Sequence, residues 1–96
     1  MIAQIVSFRS GLPDEEVLEM YKSRVPQYRK LKGLLQKYYL RFPETGEHGA
    51  VYLWESDAAL RDFKESELGR TIASAYKIQG TADILMGEVV LTLHDG

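Results

Sequence analysis

The aromatic residues of this chain are the side chains best suited to form a binding site. The 96 residues include six tyrosines, three phenylalanines and one tryptophan. A buried tyrosine hydroxyl or indole N–H needs a hydrogen-bond partner, and a polar aromatic ligand could supply one. The same rings could also form ordinary packing between a sheet and its helices. The sequence leaves both interpretations open.

The candidate pocket residues follow from the segments on which these rings lie. Tyr38 and Tyr52 lie on two neighbouring predicted strands, where they could meet, and Arg24 lies on the apolar stripe of a predicted helix. The full candidate set is Trp54, Tyr38, Tyr52, Phe63, Arg24, Tyr21 and Tyr76. No catalytic residue is assigned, because a general base works best with a pKa of about 7 whereas that of tyrosine is about 10.

Metal and nucleophile chemistry find little support in the sequence. The two histidines are His48, in a predicted hairpin turn, and His94, and no cysteine is present. The histidines share no helical or strand spacing, so no closed ligand set is indicated and no metal site is predicted. No serine stands in a nucleophile-elbow context such as G-x-S-x-G.

Composition narrows the class of protein. Twelve basic residues are interspersed among 14 acidic ones, and the net charge of −2 does not favour nucleic-acid binding. No apolar run approaches the roughly 20 residues that span a bilayer, so no membrane partner is expected. The absence of cysteine is typical of a reducing compartment and favours a cytoplasmic location. The length predicts a single domain over residues 1–96.

Six elements are predicted along the chain. Strand one covers Ile2 to Phe8, and a helix begins at Pro13. Pro26 should kink or end this helix about a turn before Gly33. Strands two and three cover Leu34 to Phe42 and Ala50 to Glu55, joined by the turn PETGEHG. Ser56 and Ser66 are predicted helix N-caps. The last strand is predicted over Ala82 to Leu93, with a bulge at Gly87.

This order predicts the ferredoxin-like α+β fold, βαββαβ, with a four-stranded antiparallel sheet and helices on one face. We expect right-handed crossovers to bring the first and third strands together, and we predict a parallel pairing of these two. Both faces of the hairpin are apolar. If the outward face carries Leu35, Tyr39, Val51 and Leu53, a second subunit should cover it, which predicts a homodimer through the sheet face.

Three segments resemble a known family. GLLQKYY at residues 33–39, GAVYLWES at 49–56 and ESELGRTI at 65–72 are similar to the YdhR-like monooxygenases of the antibiotic biosynthesis monooxygenase (ABM) superfamily. The resemblance implies a dimeric α+β barrel, in which two sheets pack face to face with the helices outside. It also implies that the face carrying Ala50, Tyr52 and Trp54 lines a pocket.

Residue by residue, the resemblance carries over Trp54 alone. The quinone-forming oxygenases have an asparagine, a tyrosine and a histidine where this chain has Ala50, Leu60 and Leu40. The chain has no asparagine, which the haem-degrading members use. The resemblance therefore implies a cofactor-independent monooxygenase that binds a small phenol or hydroquinone, or alternatively a non-catalytic small-molecule-binding or stress-associated dimer. The sequence leaves open whether the protein is an enzyme.

Overall fold

The computed structural model describes residues 1–94 and has the predicted ferredoxin-like fold. Four strands form one sheet in the order β2-β3-β1-β4, with every neighbouring pair antiparallel. The elements are β1 (Ile2–Ser10), α1 (Asp14–Arg29), β2 (Leu34–Phe42), β3 (Glu47–Trp54), α2 (Asp57–Glu65), α3 (Glu67–Arg70), α4 (Ile72–Ala75) and β4 (Ile78–Glu88).

The first and third strands are neighbours, as predicted, but their predicted parallel pairing is wrong. Ile2 of β1 lies opposite Trp54 of β3, and Phe8 lies opposite His48, so the two strands run in opposite directions. Helix α1 returns the chain to the end where β1 began, and the hairpin then reverses β3 relative to β2. Two crossovers on one side of the sheet thus give a fully antiparallel sheet.

Helix α1 begins at Asp14, one residue later than predicted, and Pro13 precedes it as the N-cap with an extended backbone. Three acidic residues in its first turn, Asp14, Glu15 and Glu16, face the positive end of the helix dipole. The helix ends at Arg29, about a turn before Gly33, as predicted from Pro26. Pro26 lies in the last turns, where its missing N–H removes one hydrogen bond near an end that frays in any case.

The two predicted serine caps are confirmed. The Ser56 hydroxyl accepts a hydrogen bond from the Ala59 N–H at 3.2 Å, and Ser66 accepts one from Gly69 N–H at 3.1 Å. These caps divide the second crossover into one longer helix and two short ones. Each cap satisfies a backbone donor that the first helical turn would otherwise leave unpaired.

The last strand begins earlier and ends earlier than predicted. It covers Ile78–Glu88, and the predicted bulge at Gly87 is wrong because Gly87 pairs in register with Ala3. The register shift lies instead between residues 7 and 9 of β1, next to Gly80, which has a φ of 70°. A left-handed conformation of this kind favours glycine and allows the strand to bulge there.

The sheet packs against its helices through two clusters of buried side chains. One cluster surrounds Trp54 and includes Tyr28, Ala50, Tyr52, Leu60 and Phe63. The other contains Phe8, Val17, Tyr21 and Tyr76. Aromatic rings therefore dominate the core on the helix side of the sheet. No helix within residues 1–94 is long and apolar enough to cross a membrane.

The opposite side of the sheet, called the open face here, is covered by no helix of residues 1–94. Val51 and Leu53 point to this face, as predicted, but the predicted outward position of Tyr39 is wrong. A bulge between Leu34 and Gln36 inverts the side-chain alternation of β2, so Lys37 and Tyr39 face the helices. Because one extra residue exchanges the two faces of a strand, the sequence pattern alone assigned them the wrong way round.

Candidate functional site

A cavity of about 270 Å³ lies between the helix side of the sheet and the second crossover. Its walls are mainly apolar, and six of the lining side chains are aromatic. The rings of Tyr28, Tyr52, Phe63 and Tyr76 line it together with Phe8 and Tyr21. This volume and this kind of wall are typical of a site for a small flat molecule.

The mouth of the cavity is formed by its exposed lining residues. Lys64 of α2, Arg70 of α3 and Ala73 of α4 lie on one side, and Ile84 of β4, which is 54% exposed, lies on the other. Within residues 1–94, the lining carries three basic side chains and neither aspartate nor glutamate. The three are Lys37, Lys64 and Arg70. The cavity is therefore electropositive and favours a ligand with an acidic or anionic group.

The amine of Lys37 lies in a cage of three tyrosine rings. Its Nζ is 3.4 Å from the centroid of the Tyr28 ring, 4.4 Å from that of Tyr39 and 4.5 Å from that of Tyr52. The position follows from the fold, because the β2 bulge turns Lys37 toward the helices and places it opposite Tyr52 in the β2–β3 pairing. The cage favours an ammonium through cation–π attraction.

Burial, in contrast, disfavours the charged form of the Lys37 amine. Removal from water, together with the positive charge of Arg24, lowers the pKa of Lys37 to about 7. An amine with this pKa exchanges a proton with a ligand at neutral pH, whereas an ordinary lysine stays charged. Lys37 is thus chemically different from the surface lysines of the chain.

The pKa values of the cavity tyrosines are raised, whereas that of Lys37 is lowered. Burial raises the pKa of Tyr21 to about 12, and it also raises the pKa values of Tyr28, Tyr52 and Tyr76. These hydroxyls stay protonated near neutral pH, so they can donate hydrogen bonds but cannot serve as general bases.

Two polar groups in the cavity wall are available to a ligand. The Tyr76 hydroxyl is buried and has no hydrogen-bond partner among the described residues. The Gln4 side chain is 4% exposed and accepts a hydrogen bond through Oε1 from the Trp54 indole N–H at 2.9 Å. Because an indole N–H can only donate, this bond fixes the orientation of the Gln4 amide and leaves its NH₂ as a donor.

Trp54, the residue that the family resemblance carries over, lies behind the cavity wall. It is completely buried, stacks on Tyr52 at 5.7 Å between ring centroids and packs against Phe63 at 5.1 Å. It does not line the cavity, and it reaches the site through Gln4.

Arg24 lies beside the cavity and connects two elements. Its Nη2 donates to the Leu68 carbonyl at 2.8 Å and to the Thr71 hydroxyl at 3.2 Å, and its guanidinium lies 5.9 Å from the centroid of Tyr76. Its Nε is buried without a partner among the described residues. Arg24 thus holds α1 against the second crossover and contributes positive charge near Lys37.

The structure therefore brings together most of the candidate set but not all of it. Tyr21, Tyr52, Phe63 and Tyr76 line the cavity. Tyr38 does not, because it pairs with Val51 on the open face and is 56% exposed. The expected meeting of Tyr38 with Tyr52 fails for the same reason, since Lys37 occupies the position opposite Tyr52.

Sequence reasoning missed Lys37, Tyr28 as a cage ring, and Gln4. Lys37 and Tyr39 lie on the same face of β2. Because the bulge in β2 was not predicted, that face was assigned to the outside of the sheet. Gln4 gave a weaker signal, as a single polar residue within the otherwise apolar start of β1.

His48 lies outside the cavity, in β3 rather than in a turn. It is buried, and its Nε2 is 3.0 Å from the Asp14 carboxylate at the start of α1. This contact ties α1 to the sheet. Among residues 1–94, no group of three or more histidine, aspartate or glutamate side chains is placed to hold a metal ion.

Comparison with known proteins finds likeness at the level of structure. No family model matches the chain, and no curated protein gives a significant match. SnoaB, a cofactor-independent oxygenase from Streptomyces nogalater, superposes with a TM-score of 0.77 at 14% identity, over 98% of this chain and 97% of SnoaB.

Two further solved structures give similar values. A structure described as an antibiotic biosynthesis monooxygenase has a TM-score of 0.76 at 17% identity, over 95% of this chain and all of the other. A protein of unknown function from Nitrosomonas europaea has a TM-score of 0.76 at 15% identity, over 99% and 94% of the two chains. This chain therefore has the fold of the ABM structures, while the narrower YdhR-like resemblance stays a prediction.

Proposed function

We propose that this protein is a cofactor-independent monooxygenase that binds a small phenol or hydroquinone in the cavity. The observation that supports it most directly is an aromatic cavity with an unpartnered Tyr76 hydroxyl and a caged amine, in a fold shared with an oxygenase. Flat walls accept an aromatic ring, and the two polar groups suit a ligand hydroxyl or carbonyl.

The proposed reaction is the oxidation of a phenol to a quinone by dioxygen. A phenol and one dioxygen give a quinone and one water, so the substrate supplies the electrons and no external reductant is needed. The step begins with loss of the phenol proton, because the anion passes an electron to dioxygen far more readily than the neutral phenol does. The protein must therefore bind the ring, exclude bulk water and accept that proton.

A second candidate function has its own support. Trp54 lies behind the wall, and Ala50, Leu60 and Leu40 replace the side chains that the resembling oxygenases use. A cavity that lacks the side chains used by those oxygenases suits a protein that binds an aromatic molecule without converting it. Both functions share the ligand class and differ in turnover.

We also propose that two copies associate through the open face. Ile5, Tyr38 and Leu85 on this face are 38%, 56% and 67% exposed, and Val51 and Leu53 lie between them. An apolar sheet surface of this kind is unfavourable in water, and a two-fold copy would cover it. The absence of cysteine supports a cytoplasmic location for this dimer.

Oxygen uptake with a panel of anthrols and hydroquinones separates the two functions. We expect uptake with at least one compound, and a quinone carrying one atom from labelled dioxygen. Tyr76→Phe removes the unpartnered hydroxyl and should lower the rate several-fold. Tyr38→Phe removes a hydroxyl on the open face and is the matched control. Binding without uptake would contradict the oxygenase proposal, and equal rates in the two variants would show that the Tyr76 hydroxyl takes no part.

A further inference from the structure

The Lys37 amine lies in the cavity wall with no carboxylate of the described residues beside it. It makes no ion pair within 4.0 Å with a carboxylate of residues 1–94, and neither aspartate nor glutamate lines the cavity in that range. Lys37 is half-buried, and an ammonium held largely out of water without a counter-charge is destabilising.

The groups around the amine add positive charge or stay neutral. From α1 it is faced by Arg24 and Tyr28, from its own strand by Tyr39 and from β3 by Tyr52, while Lys64 and Arg70 lie at the mouth. Burial raises the pKa values of the three caging tyrosines, which therefore supply no negative charge near neutral pH. The amine can therefore stay neutral in the empty cavity, and a counter-charge for its protonated form would come from a ligand.

We propose that Lys37 is the proton acceptor of the cavity and that the ligand is held there as a phenolate. The O–H bond of the phenol breaks, an N–H bond forms on Nζ, and the electron pair stays on the phenolate oxygen. No oxidation occurs in this step. The products are a phenolate and an ammonium, side by side.

Three features of the site favour this step. The rings of Tyr28, Tyr39 and Tyr52 stabilise the ammonium once it forms. The Tyr76 hydroxyl and the Gln4 amide line the same cavity and are hydrogen-bond donors suited to an anionic ligand. The amine is poised to take up a proton at neutral pH, because burial lowers its pKa to about 7.

This inference rests on the proposed function for the class of ligand, but not on turnover. It assigns a base where the tyrosines of the site cannot act, and it assigns one that sequence reasoning did not consider. It applies equally to an oxygenase and to a protein that only binds a phenol.

The first test follows the ionisation of bound 4-nitrophenol, whose phenolate absorbs visible light. With excess wild-type protein, we expect the midpoint of its titration to fall by at least one pH unit, about a tenfold preference for the anion. Lys37→Met should abolish this shift while still binding the neutral phenol. Lys22→Met, on the exposed surface of α1 and outside the cavity lining, should keep it. A shift that persists in Lys37→Met, or no binding to the wild type, would overturn the inference.

The second test separates a proton acceptor from a fixed positive charge. Lys37→Arg keeps the charge but cannot hold a neutral state near neutral pH. At about pH 8, where 4-nitrophenol is largely ionised in water, wild-type binding should take up close to one proton, and Lys37→Arg binding should take up none. Calorimetry in two buffers of different ionisation enthalpy measures this difference. Equal proton uptake in the two proteins would refute the role of Lys37.

The two proposals fail in distinguishable ways. If phenolate binding depends on Lys37 but oxygen uptake is absent, the oxygenase proposal fails and the proton acceptor stands. If uptake occurs and its pH profile is the same in wild type and Lys37→Met, the proton acceptor fails and the oxygenase stands.

Discussion

The indole N–H of Trp54 donates a hydrogen bond to Oε1 of Gln4 at 2.9 Å, and through this contact a tryptophan sealed from the cavity orients a side chain that lines it. Both side chains are buried, and they lie on neighbouring strands, two residues out of register. Trp54 is therefore a positioning residue for the cavity wall.

Replacing Trp54 by phenylalanine should destabilise the fold. The change leaves the buried Gln4 oxygen without its donor, which costs about 1–3 kcal/mol, in addition to the packing lost beside Phe63. Urea unfolding of Trp54→Phe, Gln4→Leu and the double variant measures the coupling. We expect the double variant to cost less than the sum of the single ones. Strict additivity would show that the hydrogen bond contributes nothing.

The Lys37 amine predicts an unusual dependence of stability on pH. Its pKa is about 10.4 in an unfolded chain and about 7 in the fold, so between these values the unfolded state binds more protons. Stability should therefore rise with pH across this window, by at most about 1.4 kcal/mol per unit, and be flat with respect to Lys37 below about pH 7.

The buried tyrosines set the upper end of this profile. The pKa of Tyr21 and that of Tyr39 are about 12 in the fold, against about 10 when unfolded, so stability should fall above about pH 10. Urea unfolding across pH 6–11 should show the maximum between the two limbs. Lys37→Met should lose the rising limb and keep the falling one, whereas Lys64→Met should keep both. A rising limb that survives Lys37→Met would contradict the assignment.

Much of the fold could be predicted because its signals are local. Ser56 and Ser66 are helix caps whose partners lie three residues away, and the apolar alternation of β3 depends on neighbours in sequence. The β2 bulge could not be predicted in this way. It depends on which residue of β2 pairs with Trp54, and that pairing is set by contacts across the sheet.

The same bulge limited what the sequence could say about the site. Tyr52 and Phe63 line the cavity, and their faces follow from β3 and α2 alone. Tyr38 and Lys37 exchanged places, because an extra residue in β2 turns each to the other side of the sheet. The amine with the lowered pKa was therefore assigned to the solvent side, and a tyrosine of the open face to the pocket.

Gly49 occupies a position at which we expect even one added methyl group to destabilise the sheet. A Cβ there would collide with the backbone carbonyl of Val6 in the neighbouring strand. Gly49→Ala must push β1 and β3 apart and should cost about 1–3 kcal/mol. Gly87→Ala in β4 meets no atom within 4 Å and should change the free energy of unfolding by less than about 0.5 kcal/mol. Equal effects in thermal or urea unfolding would show that β1 and β3 adjust freely.

A charge introduced on the open face should weaken the association of two copies. Leu53 lies among the apolar side chains of this face, so Leu53→Lys would place an unpaired ammonium between the two sheets. A buried unpaired charge costs about 3–5 kcal/mol, which should weaken the dimer at least 100-fold. Leu18, which is 50% exposed on α1, gives the matched control Leu18→Lys. Sedimentation at micromolar concentration should show dimers for the wild type and Leu18→Lys and monomers for Leu53→Lys. A monomeric wild type would refute the dimer, and a dimeric Leu53→Lys would place the interface elsewhere.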